Sequence, residues 1–340
     1  MTNMKHLVII IMVFLFFIGC EKNSTSINSN HKNFTVALVS VNINTPLIPQ
    51  KALIVNQDCV EYVISDSIYG PSDIAWSPNN KDIFYSSRIY PTDSSAIYIF
   101  NVETHSKKIL YKIKGDIYWI DCSKDASRIS FQSGTFPQDT LKIYILNLLD
   151  HQTKIIDYFS GLQWSPDGSQ LLLSAVTDSL GRGGKIYIMD VDGTNLHPLT
   201  SNTSLEGSYD WSPDGTKIVF WDNGINIINT DGTNQIKLTE GSWPKWSPDG
   251  SKILFIRSNY DLYSINTNGS SIMLLSHQNE MIYDPEWLSD SSGIIFRIGD
   301  PKPGITTNTL IYLNILNLTQ KILYRDLSEV LFFSISPNIY

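Results

Sequence analysis

Cysteine and positive charge are scarce in this chain of 340 residues. The three cysteines, at positions 20, 59 and 122, form no C-x-x-C pair, so neither a thiolate metal site nor a disulfide framework is predicted. Because 25 Lys and Arg stand against 33 Asp and Glu, the formal charge of −8 argues against a nucleic-acid partner, which would need a basic face. With 42% hydrophobic and 17% charged residues, the chain is typical of a globular protein.

The longest apolar run is short and lies at the N-terminus, where residues 7–18 are 12 apolar residues in a row. A membrane-spanning helix needs roughly 20 residues, so this run fits the h-region of a secretory signal, with Lys5 before it. Residues 17–20 read Phe-Ile-Gly-Cys and resemble the lipobox of bacterial lipoproteins, in which the chain is cut before a Cys that carries lipid. We therefore predict a signal peptide over 1–19 and lipidation of Cys20. The alternative is an ordinary signal peptide, or a short anchor, in which this Cys has no role.

The segment after Cys20 is polar, rich in Ser and Asn and without periodicity. Such composition predicts a flexible tether over 20–33. The sequence thus predicts a membrane-anchored lipoprotein of the bacterial cell envelope, either periplasmic or surface-exposed.

The string Trp-Ser-Pro-Asp-Gly occurs three times, at 164–168, 211–215 and 246–250. Ser and Pro suit the first corners of a type I turn, and Gly168, Gly215 and Gly250 supply the residue with positive φ that closes it. A turn of this kind joins two antiparallel strands, and an apolar run follows each copy. The string therefore predicts a repeated β-hairpin, with Trp at the end of its first strand.

Weaker copies of the string extend the repeat over most of the chain. The seven anchor positions, at which the Trp or its substitute stands, are 76, 122, 164, 211, 246, 287 and 335. Their spacings of 46, 42, 47, 35, 41 and 48 residues are close to the period of a four-stranded propeller blade. Within most periods an apolar-Tyr pair and then a turn such as Asp192-Gly193 follow, which predicts four strands, A to D, in each blade.

The two ends of the chain complete each other. Residues 34–41, 52–56 and 59–64 are predicted to be strands B, C and D without an A strand, and residues 331–336 an A strand without successors. We therefore predict an all-β fold: a single seven-bladed β-propeller over 34–340, closed by one C-terminal and three N-terminal strands. The 306 residues from 35 to 340 give about 44 per blade for seven blades, against 51 for the alternative of six.

This repeat resembles that of TolB-type β-propellers, in which a WSPDG-type turn alternates with an apolar-Tyr strand and an Asp/Asn-Gly turn. TolB carries an α/β domain ahead of its propeller and has six blades, so the resemblance implies the fold but not the Tol–Pal partnership. Similar repeats occur in prolyl-oligopeptidase-type propellers, whose hydrolase domain and G-x-S-x-G elbow have no counterpart here. They also occur in oligogalacturonate lyases, in which His residues bind a metal in a seven-bladed channel.

The distribution of histidine and aspartate argues against catalysis. His105, His151 and His197 fall in successive C–D turns at the outer rim, too far apart to share a metal, and His277 begins a D–A loop alone. The Asp of each WSPDG turn recurs blade after blade, which indicates a structural role. We therefore expect no enzyme activity, metal or cofactor.

The repeated tryptophans could form either blade packing or a platform for sugar rings. We expect packing between blades, because they recur at one strand position: Trp76, Trp164, Trp211, Trp246 and Trp287.

A binding site is expected where the sequence stops repeating, at the channel mouth opposite the A–B turns. The loops assigned to that mouth are B–C loops at 88–91, 135–138, 177–184 and 299–308, and D–A loops at 241–243 and 276–281. Their aromatic and cationic residues are types enriched at interaction hot spots: Arg88, Tyr90, Phe136, Arg182 and Trp243. The first hypothesis is a non-enzymatic scaffold that binds another envelope protein. A glycan-binding or glycan-cleaving propeller is the alternative, and a structural or sensory module of a larger assembly is a third possibility.

Overall fold

The computed structural model describes residues 35–41, 50–56, 58, 61–69, 73–134, 142–157, 159–175, 184–200, 208–299, 308–326 and 330–335. These residues contain β-strands and turns, and among them no helix is long and apolar enough to cross a membrane. The predicted signal peptide and tether lie outside the described residues, as does Cys59.

The described residues form 28 strands. The first three are β1 (Thr35–Val41), β2 (Gln50–Asn56) and β3 (Glu61–Ile68). The next two groups of four are β4 (Ile74–Trp76), β5 (Asp82–Ile89), β6 (Ser94–Asn101), β7 (Ser106–Lys114), then β8 (Asp116–Cys122), β9 (Arg128–Gly134), β10 (Lys142–Asn147) and β11 (Thr153–Ile156). Two more follow as β12 (Phe159–Trp164), β13 (Gln170–Ala175), β14 (Ile186–Asp190), β15 (His197–Pro198), then β16 (Tyr209–Trp211), β17 (Lys217–Trp221), β18 (Ile225–Asn229) and β19 (Ile236–Thr239). The last are β20 (Ser242–Trp246), β21 (Lys252–Arg257), β22 (Asp261–Asn266), β23 (Met273–His277), then β24 (Met281–Trp287), β25 (Gly293–Gly299), β26 (Asn308–Asn314), β27 (Gln320–Asp326) and finally β28 (Val330–Ile335).

The strands pair into seven antiparallel sheets of four, each a propeller blade. We number as blade 1 the sheet that contains β1 to β3, and blades 2 to 7 follow in chain order from β4 to β27. In blades 2 to 7 the first strand of each group is the innermost strand A. The A strands of several neighbouring blades contact one another: β28 and β4, β4 and β8, β16 and β20, and β20 and β24. The predicted all-β, seven-bladed propeller is confirmed, and the six-bladed alternative is wrong.

Blade 1 is assembled from both ends of the described chain. Strand β28 supplies its A strand and pairs antiparallel with β1, with Ser334 opposite Ala37 and Ile335 opposite Val36. This closure by one C-terminal and three N-terminal strands is the predicted one. It leaves no inner strand of the ring without a partner, which removes an edge that would invite aggregation.

Among the described residues the core is divided among seven hydrophobic clusters, each shared by two neighbouring blades. In one of them Trp211 of blade 5 packs against Leu172 and Ile188 of blade 4. The anchor tryptophans are between 3% and 8% exposed, so their rings are part of these clusters. Since the B strands have neighbouring blades on both faces, they show apolar runs in place of the simple alternation of a half-exposed sheet, whereas the outer D strands are largely exposed.

The A–B turns have the geometry that their composition predicts. In the turn after Trp164, the amide of Gly168 donates to the carbonyl of Ser165 at 2.9 Å, and Gly168 has a φ of 71°. Asp167 Oδ1 accepts hydrogen bonds from the Ser165 hydroxyl and from the Ser169 amide. These hydrogen bonds, the Ser165 hydroxyl first, lower the pKa of Asp167 below its usual range.

Candidate functional site

In six of the seven blades the residue before the anchor lies on the channel side of strand A, whereas Ala75 of blade 2 is buried in the cluster between blades 2 and 3. Because side chains alternate along a strand, this residue faces away from the cluster that the anchor enters. We call the seven positions the channel ring, which consists of Ser334, Ala75, Asp121, Gln163, Asp210, Lys245 and Glu286 in blades 1 to 7. All but Ala75 line a cavity of about 640 Å³.

The cavity opens on the face of the A–B turns. Its rim is formed by the turn prolines Pro78, Pro166, Pro213 and Pro248, and its wall by the anchor tryptophans. Neighbouring turns touch each other around this rim: a Cβ added to Gly215 would lie 3.9 Å from Pro166 Cδ of the preceding blade. The rim is therefore a collar of prolines and indoles above the channel ring.

Four neighbouring blades share a polar network in the ring. Gln163 Nε2 donates to Asp210 Oδ1 at 2.7 Å, and the amide of Trp246 donates to Asp210 Oδ2, also at 2.7 Å. Lys245 Nζ lies 2.6 Å from Glu286 Oε1. The network thus ties blades 4 to 7 together across the inner ends of their A strands.

The pKa values in this network reflect its position inside the channel. Burial raises the pKa of Asp210, although the charge of Lys245 and the hydrogen bonds from Trp246 and Gln163 act against this rise. For Lys245 burial acts to lower the pKa, but the carboxylates of Glu286 and Asp210 outweigh it and raise the pKa. The ammonium of Lys245 is therefore held in its charged form by its two neighbours.

Asp121 of blade 3 lies apart from this network. Its Oδ1 accepts a hydrogen bond from the Cys122 amide at 2.8 Å, and no ion pair to it occurs among the described residues. The side chain is exposed to the channel, but the surrounding protein displaces bulk water and raises its pKa. Asp121 thus places a carboxylate in the cavity, and the charge of Lys124, which lines the same cavity, acts against the rise of its pKa.

A second acidic residue, Asp73, joins blades 2 and 3. It lies two residues before Ala75, and its carboxylate accepts hydrogen bonds from the amides of Ile74 and Ile120, both at 2.8 Å. Burial raises the pKa of Asp73 to about 7, and the nearby carboxylates of Asp121 and Asp284 add to the rise. The two backbone donors act in the opposite direction.

Two tryptophans near the starts of A strands are held in an unusual backbone conformation. Trp119 in β8 has a φ of 47° and Trp243 in β20 a φ of 55°, and each lies at a β-bulge. Both are three residues before an anchor, and they are 60% and 50% exposed. A bulge changes the direction in which a side chain points, so these indoles face the solvent and not the blade interface.

Of the residues assigned to the channel mouth, Arg88 and Trp243 lie in strands and not in loops, and Tyr90 lies in the turn after β5. Arg88 belongs to β5, in which it pairs with Ser95 of β6. Its guanidinium donates two hydrogen bonds, of 2.8 and 2.6 Å, to the Asp116 carboxylate in β8. Trp243 belongs to β20, not to a D–A loop. Tyr90 is 61% exposed, with its ring 6.3 Å from that of Tyr69. Phe136 and Arg182 lie outside the described residues.

The four later histidines lie at the outer rim or an outer strand. His105 and His151 are in C–D turns and His197 starts the outer strand β15. His277 is the last residue of β23 and not the start of a loop, because its Nδ1 lies 2.5 Å from Asp261 Oδ1 in the paired strand. In the part of the chain that the structure describes, no group of three or more His, Cys, Asp or Glu side chains could hold a metal ion.

Trp119 and the channel ring were not identified from the sequence. Trp119 follows no loop signal, because it lies inside a strand whose bulge cannot be recognised from residue types. The ring could have been found from one pattern: in an apolar strand, the residue before the anchor is polar or charged in most blades, as in Gln163-Trp164 and Lys245-Trp246.

Comparison with known proteins supports the fold. No protein-family model matches the chain. Among solved structures, TolB from Acinetobacter baumannii has a TM-score of 0.59 and 18% sequence identity, covering 90% of this chain and 67% of TolB. An oligogalacturonate lyase from Vibrio parahaemolyticus has a TM-score of 0.62 and 14% identity, covering 86% of this chain and 85% of the lyase. A putative 6-phosphogluconolactonase from Bacteroides fragilis has a TM-score of 0.60 and 11% identity, covering 91% and 99%.

These neighbours include TolB-like propellers, as the repeat implied. At identities of 11% to 18% the likeness shows the propeller fold and nothing about activity.

Proposed function

We propose that this protein is a non-enzymatic binding module of the cell envelope. It is anchored through lipid on Cys20, and its propeller docks another envelope protein on the face where the A strands begin. One observation carries the proposal: Trp119 and Trp243 combine positive φ with half or more of their surface exposed. A bulky residue with positive φ is strained, and an exposed indole recovers little of that cost within the chain. Strain of this kind concentrates at ligand-binding positions.

Polar residues near the starts of A strands are held in place before any partner arrives. Arg88 and Asp116 link blades 2 and 3 near Trp119 through two hydrogen bonds. In blade 7, Arg297 donates to Asp284 at 3.0 Å and lies over the ring of Tyr283. A surface whose polar side chains are already fixed loses less conformational entropy on binding. Exposed Trp and Tyr in such surroundings suit a protein interface.

Glycan binding is the second candidate function, and the same indoles favour it. An exposed indole offers a flat apolar face to a sugar ring, and one of the structural neighbours is an oligogalacturonate lyase. The two candidates differ in what remains bound after purification: a polypeptide in the first case, an oligosaccharide in the second.

Site-specific photo-crosslinking distinguishes the candidates. A photoreactive phenylalanine analogue placed at position 119 or 243 should capture one discrete protein in intact cells. The matched control carries the analogue in place of Leu149, which is 91% exposed in the C–D turn of blade 3. Equal capture from all three positions would contradict a docking face. Binding on a glycan array that Trp119→Ala and Trp243→Ala abolish, without crosslinked protein, would support the second candidate.

The anchor is tested separately. Cells that produce the wild type or Cys20→Ala are fed a fatty-acid analogue that can be labelled after lysis. Label should appear on the wild type alone, and equal label on both proteins would refute the lipid anchor.

A further inference from the structure

The residues of the channel ring vary from blade to blade, although they lie next to the most regular position of the repeat, the anchor. The next residue is Trp in five of the seven blades, whereas the ring residue differs in almost every blade: Ser334, Ala75, Asp121, Gln163, Asp210, Lys245 and Glu286. A side chain that only supports the blade would recur from blade to blade, as the turn residues do. Variation confined to the lining of a cavity of about 640 Å³ instead indicates a site for a small molecule.

The charged side chains that line the cavity sum to a net negative charge. On one side Asp210 and Glu286 flank Lys245, so this group carries a net charge of −1. On the other side, three blades away from Lys245, Asp121 carries −1, and Lys124, which also lines the cavity, carries a charge that acts to lower the pKa of Asp121. Among the described residues the lining thus holds three carboxylates and two lysines, a net charge of −1, so a ligand that enters should carry positive charge.

The cavity changes character toward its opening. The turn prolines and the anchor tryptophans that surround the opening offer an apolar wall, and the carboxylates lie below them in the ring. An aliphatic chain would contact the wall and leave water, while a charged end group would reach the ring. This order of surfaces matches a molecule with an apolar body and a cationic end.

We propose that the channel cavity binds a small organic amine, with its ammonium at Asp121 and its aliphatic body against the proline and tryptophan collar. A diamine of suitable length would place its second ammonium at the Asp210–Lys245–Glu286 group. This site lies at the A–B-turn face, whereas the proposed docking surface lies at the other end of the channel. The two can therefore fail independently.

Calorimetric titration of the full chain tests the site with three probes of equal length: 1,5-diaminopentane, pentylamine and the neutral 1,5-pentanediol. The wild type should bind the diamine most tightly, the monoamine more weakly and the diol not measurably. Asp121→Asn should weaken amine binding roughly tenfold, because it removes one charge while the amide oxygen still accepts the Cys122 hydrogen bond. The matched control is Asp150→Asn, in an exposed C–D turn, which should leave the affinity unchanged.

A second variant makes the opposite prediction. Lys245→Gln removes one of the two lysines that line the cavity among the described residues and should tighten amine binding, whereas a ring that merely supports the fold would show no such gain. A peptide with a single lysine is the last probe. If it binds as tightly as pentylamine, the amine that the site binds is a protein side chain. If it binds more weakly, the amine is a free metabolite. The proposal is overturned if the diol binds as well as the diamine, or if Asp121→Asn leaves the affinity unchanged.

Discussion

The indole Nε1 of Trp164 donates a hydrogen bond of 3.1 Å to the hydroxyl of Ser130, across the boundary between blades 4 and 3. Ser130 lies in β9 opposite the ring residue Asp121, and the equivalent positions in blades 4 and 5 are Leu172 and Val219. The contact between blades 3 and 4 therefore combines apolar packing with a buried hydrogen bond.

Ser130→Ala should lower the free energy of unfolding by about 1–2 kcal/mol, because it leaves the buried indole N–H without its acceptor. Chemical denaturation of the variant measures this cost. The control is the same substitution in a Trp164→Phe background, where the donor is already gone and the cost should nearly vanish. Equal costs in both backgrounds would show that the hydrogen bond contributes nothing.

Trp211→Ala should destabilise the protein by about 3–5 kcal/mol, because it empties part of the cluster between blades 4 and 5. Trp243→Ala, at a half-exposed position, should cost much less and serves as the matched control. Thermal unfolding followed by circular dichroism makes the comparison. An unchanged melting temperature for Trp211→Ala would mean that the anchor ring does not carry the packing.

Asp73 should make the stability depend on pH in a defined window. Its pKa is about 7 in the folded protein against an ordinary value of 3.8, so folding favours the protonated carboxyl. As the pH rises from about 4 to about 7, the unfolded chain loses this proton first, and the free energy of unfolding falls. Asp73→Asn cannot titrate, so the stability of the wild type minus that of the variant should fall across this window and level off above it. A difference that is independent of pH would contradict the raised pKa.

Gly215 should tolerate Asn better than Ala. Its φ is 71°, a region that L-residues other than Asn and Asp adopt at a cost of about 1 kcal/mol. Space is not limiting, since an added Cβ would lie 3.9 Å from Pro166 Cδ. In blade 2 the equivalent residue is Asn80, with a φ of 56°. Equilibrium unfolding should therefore rank Gly215 above Asn and Asn above Ala, and the reverse ranking would place the limit in packing instead.

The repeat made the fold predictable, because most blades contain the same type of A–B turn and a buried tryptophan at the same strand position. One weak copy, such as the anchor at Ile335, could be recognised only from the stronger ones, and it located the closing strand correctly. Trp243 was found because it differs from the repeat near a loop. Trp119 was not found, because residue types alone do not predict a β-bulge. The channel ring was missed because Asp121 and Lys245 are far apart in the sequence. Their side chains line one cavity only after the A strands have come together around the propeller axis.

The pairing of Ser334 with Ala37 determines which blade of the propeller can fold last. Strands β1 to β3 leave the ribosome first, yet the inner partner of β1 is the last strand that the structure describes. Blade 1 therefore stays unfinished while the other six can form in sequence, and its closing contact spans almost the whole propeller, a separation that slows folding. A chain that is cut short anywhere before β28 leaves β1 without its inner partner, so the ring cannot close.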